Sequence, residues 1–345
     1  VISARKESLC QALTDMLHHQ QGNHGWAVFH ESLAELAASE RSSALDEVMS
    51  AVWRERPYIS DAHAISLLGA SVRHLLLQDG APAGVFDAGT PLAERVTVLA
   101  DLLHERHTAV VQLMDGRSNS YTGARRFLLP QLVIGAFAEA RGLDRVRLLD
   151  LGTSIGLLPR QLNNEVVFDR FAGDLRWHPA APPFRHIPLE FVCGVDRPPL
   201  PTLEWVRTCH GPSDYYEQRF EEVLWSLDRS KEAEERVLLR PLDLLDSAAL
   251  AGLLKAFRIN VVTCNFVLYQ YAEEVKRRLV ETVMGALAVP GMLLVMDPSH
   301  GLTRMGCTVH AYRDGGTEPL HIADVSDAHF VGDVRVRAGF GALTG

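Results

Sequence analysis

The stretch "VRLLDLGTSIGLLPRQL", residues 146–162, decides how this chain is read. Valine and leucine dominate its first six residues, interrupted by Asp150, which predicts a buried strand. Gly152, Thr153, Ser154, Ile155 and Gly156 follow, and then an apolar run able to open a helix. A strand, a glycine turn and a helix set backbone N–H groups at a helix N-terminus, where a polar ligand can meet them. Similar turns join strands to helices in proteins that hold nothing there. What surrounds the turn therefore carries the decision.

From residue 145 onward, short and nearly continuous apolar runs recur: "VRLLDL", "LEWVRTC", "RVLLRPL", "INVVTCNFVL" and "GMLLVMD". Amphipathic helices lie between several of them, as in "SDYYEQRFEEVLWSLDRSKEAEE" and "AEEVKRRLVETVMGALA". Strands buried on both faces and alternating with helices predict a parallel sheet in an α/β layer fold. The tail differs: "CTVHAYRDGG" and "VGDVRVRAGF" predict a pair of antiparallel strands closing the sheet edge. Residues 1–142 read as helices instead. "SARKESLCQALTDMLHHQ", "SLAELAASERSSALDEVMSAVW", "DAHAISLLGASVRHLLLQ" and "PLAERVTVLADLLHERHTAVVQLM" repeat apolar residues at spacings of three and four. Another helix is expected over 123–141, where Pro130 kinks it or starts it afresh, with Gly142 as its stop. The expected organisation is a helical lid or cap over 1–142 and a Rossmann-like domain over 143–345.

The chain of 345 residues is 47% apolar and 22% charged, enough for a sizeable core. Its formal net charge of −9 and its lack of a basic block disfavour nucleic acid as the main partner. Five scattered cysteines without a C-x-x-C predict a reducing compartment and no disulfide framework. No apolar run approaches a membrane span and no signal-peptide core is present, so a soluble cytoplasmic protein without a membrane partner is expected. His18, His19, His24 and His30 invite a metal reading, but their spacings fit no common site, and no metal is expected.

The spacing Asp150-x-Gly152-x-x-x-Gly156 is neither the G-x-G-x-x-G dinucleotide fingerprint nor a P-loop. It resembles motif I of the class I S-adenosylmethionine (SAM) methyltransferases, with Ser154 where the middle glycine usually stands. More of the chain, roughly 25–300, resembles an uncharacterised bacterial family, domain of unknown function 2332, itself similar to those methyltransferases with a helical extension. "LLDLGTSIGLLPRQLN", "LPTLEWVRTCHGPSD", "RVLLRPLDLL" and "RSNSYTGAR" carry that likeness.

The resemblance implies SAM as cofactor, cradled by Asp150, Gly152, Thr153, Ser154 and Gly156. It also implies an acid after the second strand to hold the ribose. Two placements compete: "LEFVCGVD" with Asp196, or "LEWVRTC" with His210 and Asp214. The second is preferred, because the first strands "LEWVRTC" inside a long connection. Asp243 would approach the adenine amino group with Leu244 beside the ring, and Asn265 and Phe266 would face the methyl group. The chain departs from the family where His210 replaces an aspartate, and where Tyr121 and Thr122 replace an Asn-Glu pair.

Methyl transfer is an in-line displacement governed by positioning. A carboxylate acceptor needs no base, whereas a hydroxyl or ammonium acceptor does. Tyr121, His178, Tyr269 and His300 are the candidates near the mouth, with Arg117 and Arg125 available to hold the methionine carboxylate of the cofactor or an acidic substrate. The helical half would wall the pocket or form a homodimer contact. The expected function is SAM-dependent methylation of a small molecule or modest peptide, with oxygen favoured. The alternative is a cofactor-binding protein that does not methylate, and an NAD-dependent oxidoreductase is the weaker third. Gly152→Val is expected to abolish cofactor binding in a folded chain, and Asp243→Ala to weaken it.

Overall fold

The computed structural model describes residues 2–19, 24–80, 84–299 and 306–345. Its N-terminal half is helical: α1 (Ile2–His19), α2 (His24–Ala38), α3 (Ser43–Glu55), α4 (Asp61–Gln78), α5 (Leu92–Glu105), α6 (His107–Gly116) and α7 (Leu128–Ala140). Two of the expected long helices are each two helices, broken at residues 39–42 and at Arg106. Pro130 is the third residue of α7, where no intrahelical N–H is lost, so it starts the helix and does not kink it. Gly142 stops α7 at φ +59°, with the Leu143 N–H reaching back to the Ala138 carbonyl.

The second half alternates. It runs β1 (Val146–Leu151), α8 (Leu157–Gln161), α9 (Glu165–Ala172), β2 (Leu175–His178) and β3 (Leu189–Asp196). Then come α10 (Leu203–His210), α11 (Asp214–Arg229), β4 (Val237–Pro241), α12 (Ser247–Ala256), β5 (Val261–Asn265), α13 (Glu273–Met284) and β6 (Met292–Pro298). The chain closes with β7 (Cys307–Arg313), β8 (Leu320–Val325), β9 (Gly332–Val336) and α14 (Ala338–Thr344). One nine-stranded sheet results, in the order β2-β9-β8-β7-β6-β5-β1-β3-β4.

The segment from β4 to β6 is parallel throughout. Its strands are apolar on both faces: Leu148 packs with α7, α9 and α11, whereas Leu149 packs with α12 and α13. A doubly wound Rossmann-like α/β sheet with a helical N-terminal extension is therefore what the chain forms. The tail is a meander. β7 and β9 do not pair with each other, because β8 lies between them and pairs antiparallel with both. The edge strand β2 was not anticipated; its four residues pair parallel with β9.

The largest correction concerns the second strand. "LEWVRTC" is helix α10, not a strand, and β3 is "LEFVCGVD", ending at Asp196. Thr202 caps α10 by accepting from the Trp205 N–H at 3.2 Å. Trp205, Val206 and Cys209 then share a buried helical face, a spacing that a seven-residue apolar run leaves ambiguous. Trp205 and Cys209 join the core of the helical extension, which runs from Leu9 to Met114. Residues 124–138 of the helical half belong instead to the core beneath the sheet. Among the described residues no helix is long and apolar enough to cross a membrane.

Candidate functional site

The chain winds from β1 through β3 to β4 on one side of the sheet's middle, then returns through β5 and β6 on the other. At such a reversal the loops after adjacent strands part, and a crevice opens beyond their carboxyl ends. A cleft of about 770 Å³, measured out to its open mouth, lies there. One wall comes from the strand ends: Asp150, Gly152–Ser154, Leu158, Asp196, Arg197, Leu244, Asn265–Val267, Gln270 and Tyr271. The other comes from Ser118–Gly123 and Arg126 of the helical half.

The glycine turn has its own reasons for glycine. Gly152, Ser154 and Gly156 all have left-handed φ, at +67°, +54° and +73°. A Cβ on Gly152 would run into Val267, and one on Gly156 would lie 2.7 Å from Leu239. The turn also spends its donors internally. Thr153 N–H bonds the Val195 carbonyl at 3.0 Å, Ser154 N–H bonds Asp196 Oδ2 at 2.7 Å, and Gly156 N–H bonds the Thr153 carbonyl at 2.9 Å. Those three N–H groups are therefore spent within the protein.

Two acids line the cleft. Asp150 accepts from Thr263 Oγ1 at 2.7 Å, and burial pushes its carboxyl up to about 6. Asp196 accepts from the Ser154 and Arg197 N–H groups, both at 2.7 Å. Burial outweighs those bonds and pushes Asp196 up to about 6 as well. Each of its oxygens keeps a lone pair for a further donor. Beside them, Asn265 has neither side-chain amide atom partnered, although both are buried. Buried polar atoms without partners are uncommon, and these two face the cleft.

The helical wall is held from outside the sheet. Trp205 Nε1 donates to the Ser118 carbonyl at 2.8 Å, and Arg56 Nη1 donates to the Met114 and Arg117 carbonyls. Thr122 Oγ1 donates to Ser154 Oγ at 2.9 Å, tying the two walls together. The Tyr121 hydroxyl lies 2.8 Å from His329 Nδ1, and its ring packs on His210 at 4.2 Å. Burial, with Arg126 nearby, pushes His329 down to about 3, so its ring is neutral and shares a hydrogen bond with the Tyr121 hydroxyl whose direction the tautomer sets.

Of the expected site residues, Asp150, Gly152, Thr153, Ser154, Leu244, Asn265, Phe266 and Tyr121 share the cleft. Gly156 stands behind it as the N-cap of α8. The others do not line it. His210 ends α10 with Nδ1 bonded to the Val206 carbonyl at 2.9 Å, and burial pushes it down to about 4. Asp214 opens α11 as an exposed first-turn acid. Asp243 accepts from the Leu245 N–H at 2.9 Å, closing a local turn, while Asp246 caps α12.

Arg117 stacks over Trp205 at 5.6 Å. Arg125 is consumed by Glu222, which it grips through Nε and Nη2 at 3.0 and 2.8 Å, and by Asp174. Tyr269 lies behind the cleft, against the buried His63 ring at 6.3 Å. His178 sits on the far edge strand, paired with Asp333. His300 lies outside the described residues. Sequence reasoning passed over Arg126, Arg197, Gln270 and Tyr271. It ranked Asp196 second.

No family model matches the chain, and no curated protein matches it. Solved structures do. A SAM-bound amino pentose methyltransferase from Micromonospora echinaspora is 15% identical, over 56% of this chain and 65% of its own, with a TM-score of 0.25. A mitomycin 7-O-methyltransferase is 14% identical over 80% of this chain and 60% of its own, with a TM-score of 0.26. A candidate O-methyltransferase from Nostoc punctiforme is 15% identical over 51% of this chain, with a TM-score of 0.25; this chain spans 42% of its length.

Proposed function

We propose that the cleft binds SAM and that the protein transfers its methyl group to a small molecule or modest peptide, with oxygen acceptors favoured. One observation carries this reading. At the reversal point of the sheet, a glycine turn is flanked by a strand-end acid, Asp196, and by the unpartnered Asn265 amide. The residues fit the group: Asp196 has lone pairs for ribose hydroxyls, Leu244 and Tyr271 offer walls to the adenine, and Asn265 supplies a donor and an acceptor.

When bound, the cofactor supplies an electrophilic methyl group. The chain supplies position. The titratable side chains lining the cleft are Tyr121, Arg126, Asp150, Asp196, Arg197 and Tyr271. Asp150 is tied to Thr263, Asp196 to two N–H groups, and Tyr121 to His329. Among the described residues the lining holds no histidine or lysine, and its two carboxylates already accept hydrogen bonds, which favours an acceptor that needs no deprotonation. The helical wall then serves as a cover that excludes water and orients the acceptor. The charge of −9 keeps nucleic acid out of the proposal.

Calorimetric titration with SAM and with S-adenosylhomocysteine tests the reading. Micromolar binding of both is expected. Binding of neither would leave only the fold. Cofactor binding without methyl transfer to any acceptor would support the second reading, a non-catalytic binding protein. The locked Tyr121 hydroxyl is what favours that alternative.

A further inference from the structure

Two adjacent arginines of the helical wall have opposite environments. Arg125 is neutralised by Glu222 and Asp174 beneath the sheet. Arg126 turns into the cleft, its guanidinium 3.7 Å from the centroid of the Phe266 ring and 5.0 Å from that of Tyr121. Its Nη1 donates to the Tyr121 carbonyl at 2.8 Å. Its Nε is buried with no partner. Among the described residues no carboxylate forms an ion pair with it; Asp327 acts on it only through space and spends Oδ1 on the His329 N–H. A cation so placed costs free energy until a counter-charge arrives. The guanidinium thus keeps unpaired donors facing the cleft, of the kind that hold a carboxylate.

Position separates this group from the cofactor's side. Phe266 follows β5, and the groups that influence Arg126 include Cys307 at the start of β7 and Asp327 in the β8–β9 turn. Asp196 and Leu244 lie across β1, toward β4. We propose that Arg126 is the docking point for a carboxylate carried by the methyl acceptor. This rests on the reading of the Asp196 side as the cofactor's.

The test uses the full chain saturated with S-adenosylhomocysteine. The probes are benzoate, phenylacetate and hexanoate, each against its own primary amide, titrated at millimolar concentration. The acids are expected to bind about tenfold more tightly than the amides, a difference of about 1.4 kcal/mol. Arg126→Gln should erase that preference, and Arg126→Lys, which keeps the charge without the fork, should retain part of it. Equal binding of acids and amides, or a preference that survives in Arg126→Gln, overturns the proposal. So does a large loss of S-adenosylhomocysteine affinity in Arg126→Gln with 5′-methylthioadenosine affinity retained, because that would assign Arg126 to the cofactor's own carboxylate. Failure of the wild type to bind S-adenosylhomocysteine would instead sink the cofactor reading. The acid–amide comparison without cofactor would still decide whether Arg126 binds carboxylates.

Discussion

The two walls of the cleft are built by different means. The sheet wall is made where strands end, and its parts are placed by the backbone of neighbouring strands: the turn after β1 is held by the end of β3, through Val195 and Asp196. The helical wall is an irregular segment, 118–126, with no ladder of its own. Trp205, Arg56 and Cys209 hold it from elsewhere in the chain. A wall fixed by backbone geometry is intolerant of any added atom. A wall fixed by side-chain tethers can be loosened one tether at a time.

Gly152→Val should produce the largest effect. The left-handed φ and the clash with Val267 make it a folding defect, contrary to the expectation from sequence that only binding would suffer. A loss of about 4–5 kcal/mol is expected in chemical denaturation. An unchanged midpoint would mean the sheet wall is softer than its geometry implies.

Asp196→Asn comes next and acts on binding. It should weaken S-adenosylhomocysteine by about 1–3 kcal/mol. A ribose hydroxyl donates best to the ionised carboxylate, and free Asp196 titrates near 6. Wild-type affinity should therefore hold at alkaline pH and fall about tenfold for each unit well below that value. Asp150, also near 6, would steepen the fall. Calorimetry across this range in both proteins checks the point, and an identical profile in the variant would remove Asp196 from the site.

Trp205→Phe keeps an aromatic ring in the helical core and deletes the bond to Ser118. About 1 kcal/mol of stability should go, with hydrogen exchange rising across 118–123. Exchange that stays flat there would show that the other tethers suffice. Asp243→Ala should do least: less than about 1 kcal/mol of stability, from one turn bond, and no change in affinity. Weakened cofactor binding in that variant would restore the role first expected of it.

How much was legible follows the same division. Strands β1, β5 and β6 announce themselves because burial on both faces demands continuous apolar runs, and β4 at the edge by its run of apolar residues alone. The glycine turn is likewise local. The second strand was misplaced because ending it at Asp196 left "LEWVRTC" inside a long connection, whereas that connection holds a helix, α10. "LEWVRTC" could be decided only by what it packs on, a helical core far back in the sequence. Arg125 and Arg126 are neighbours of identical chemistry. Only Glu222 and Asp174 on one side, and Phe266 on the other, tell them apart.

The borrowing of α10 has a consequence for how the chain comes into being. During synthesis the helical half leaves the ribosome first, yet its core lacks Trp205 and Cys209 until the chain has grown past both. In the meantime a patch suited to an indole stands open on the nascent chain, a hazard for association with other chains. Closing it requires a contact of long sequence separation, a slow kind of event in folding. The last part of the helical half to set would then be the segment beside the cleft, and active protein would emerge only once β3 and α10 had been made.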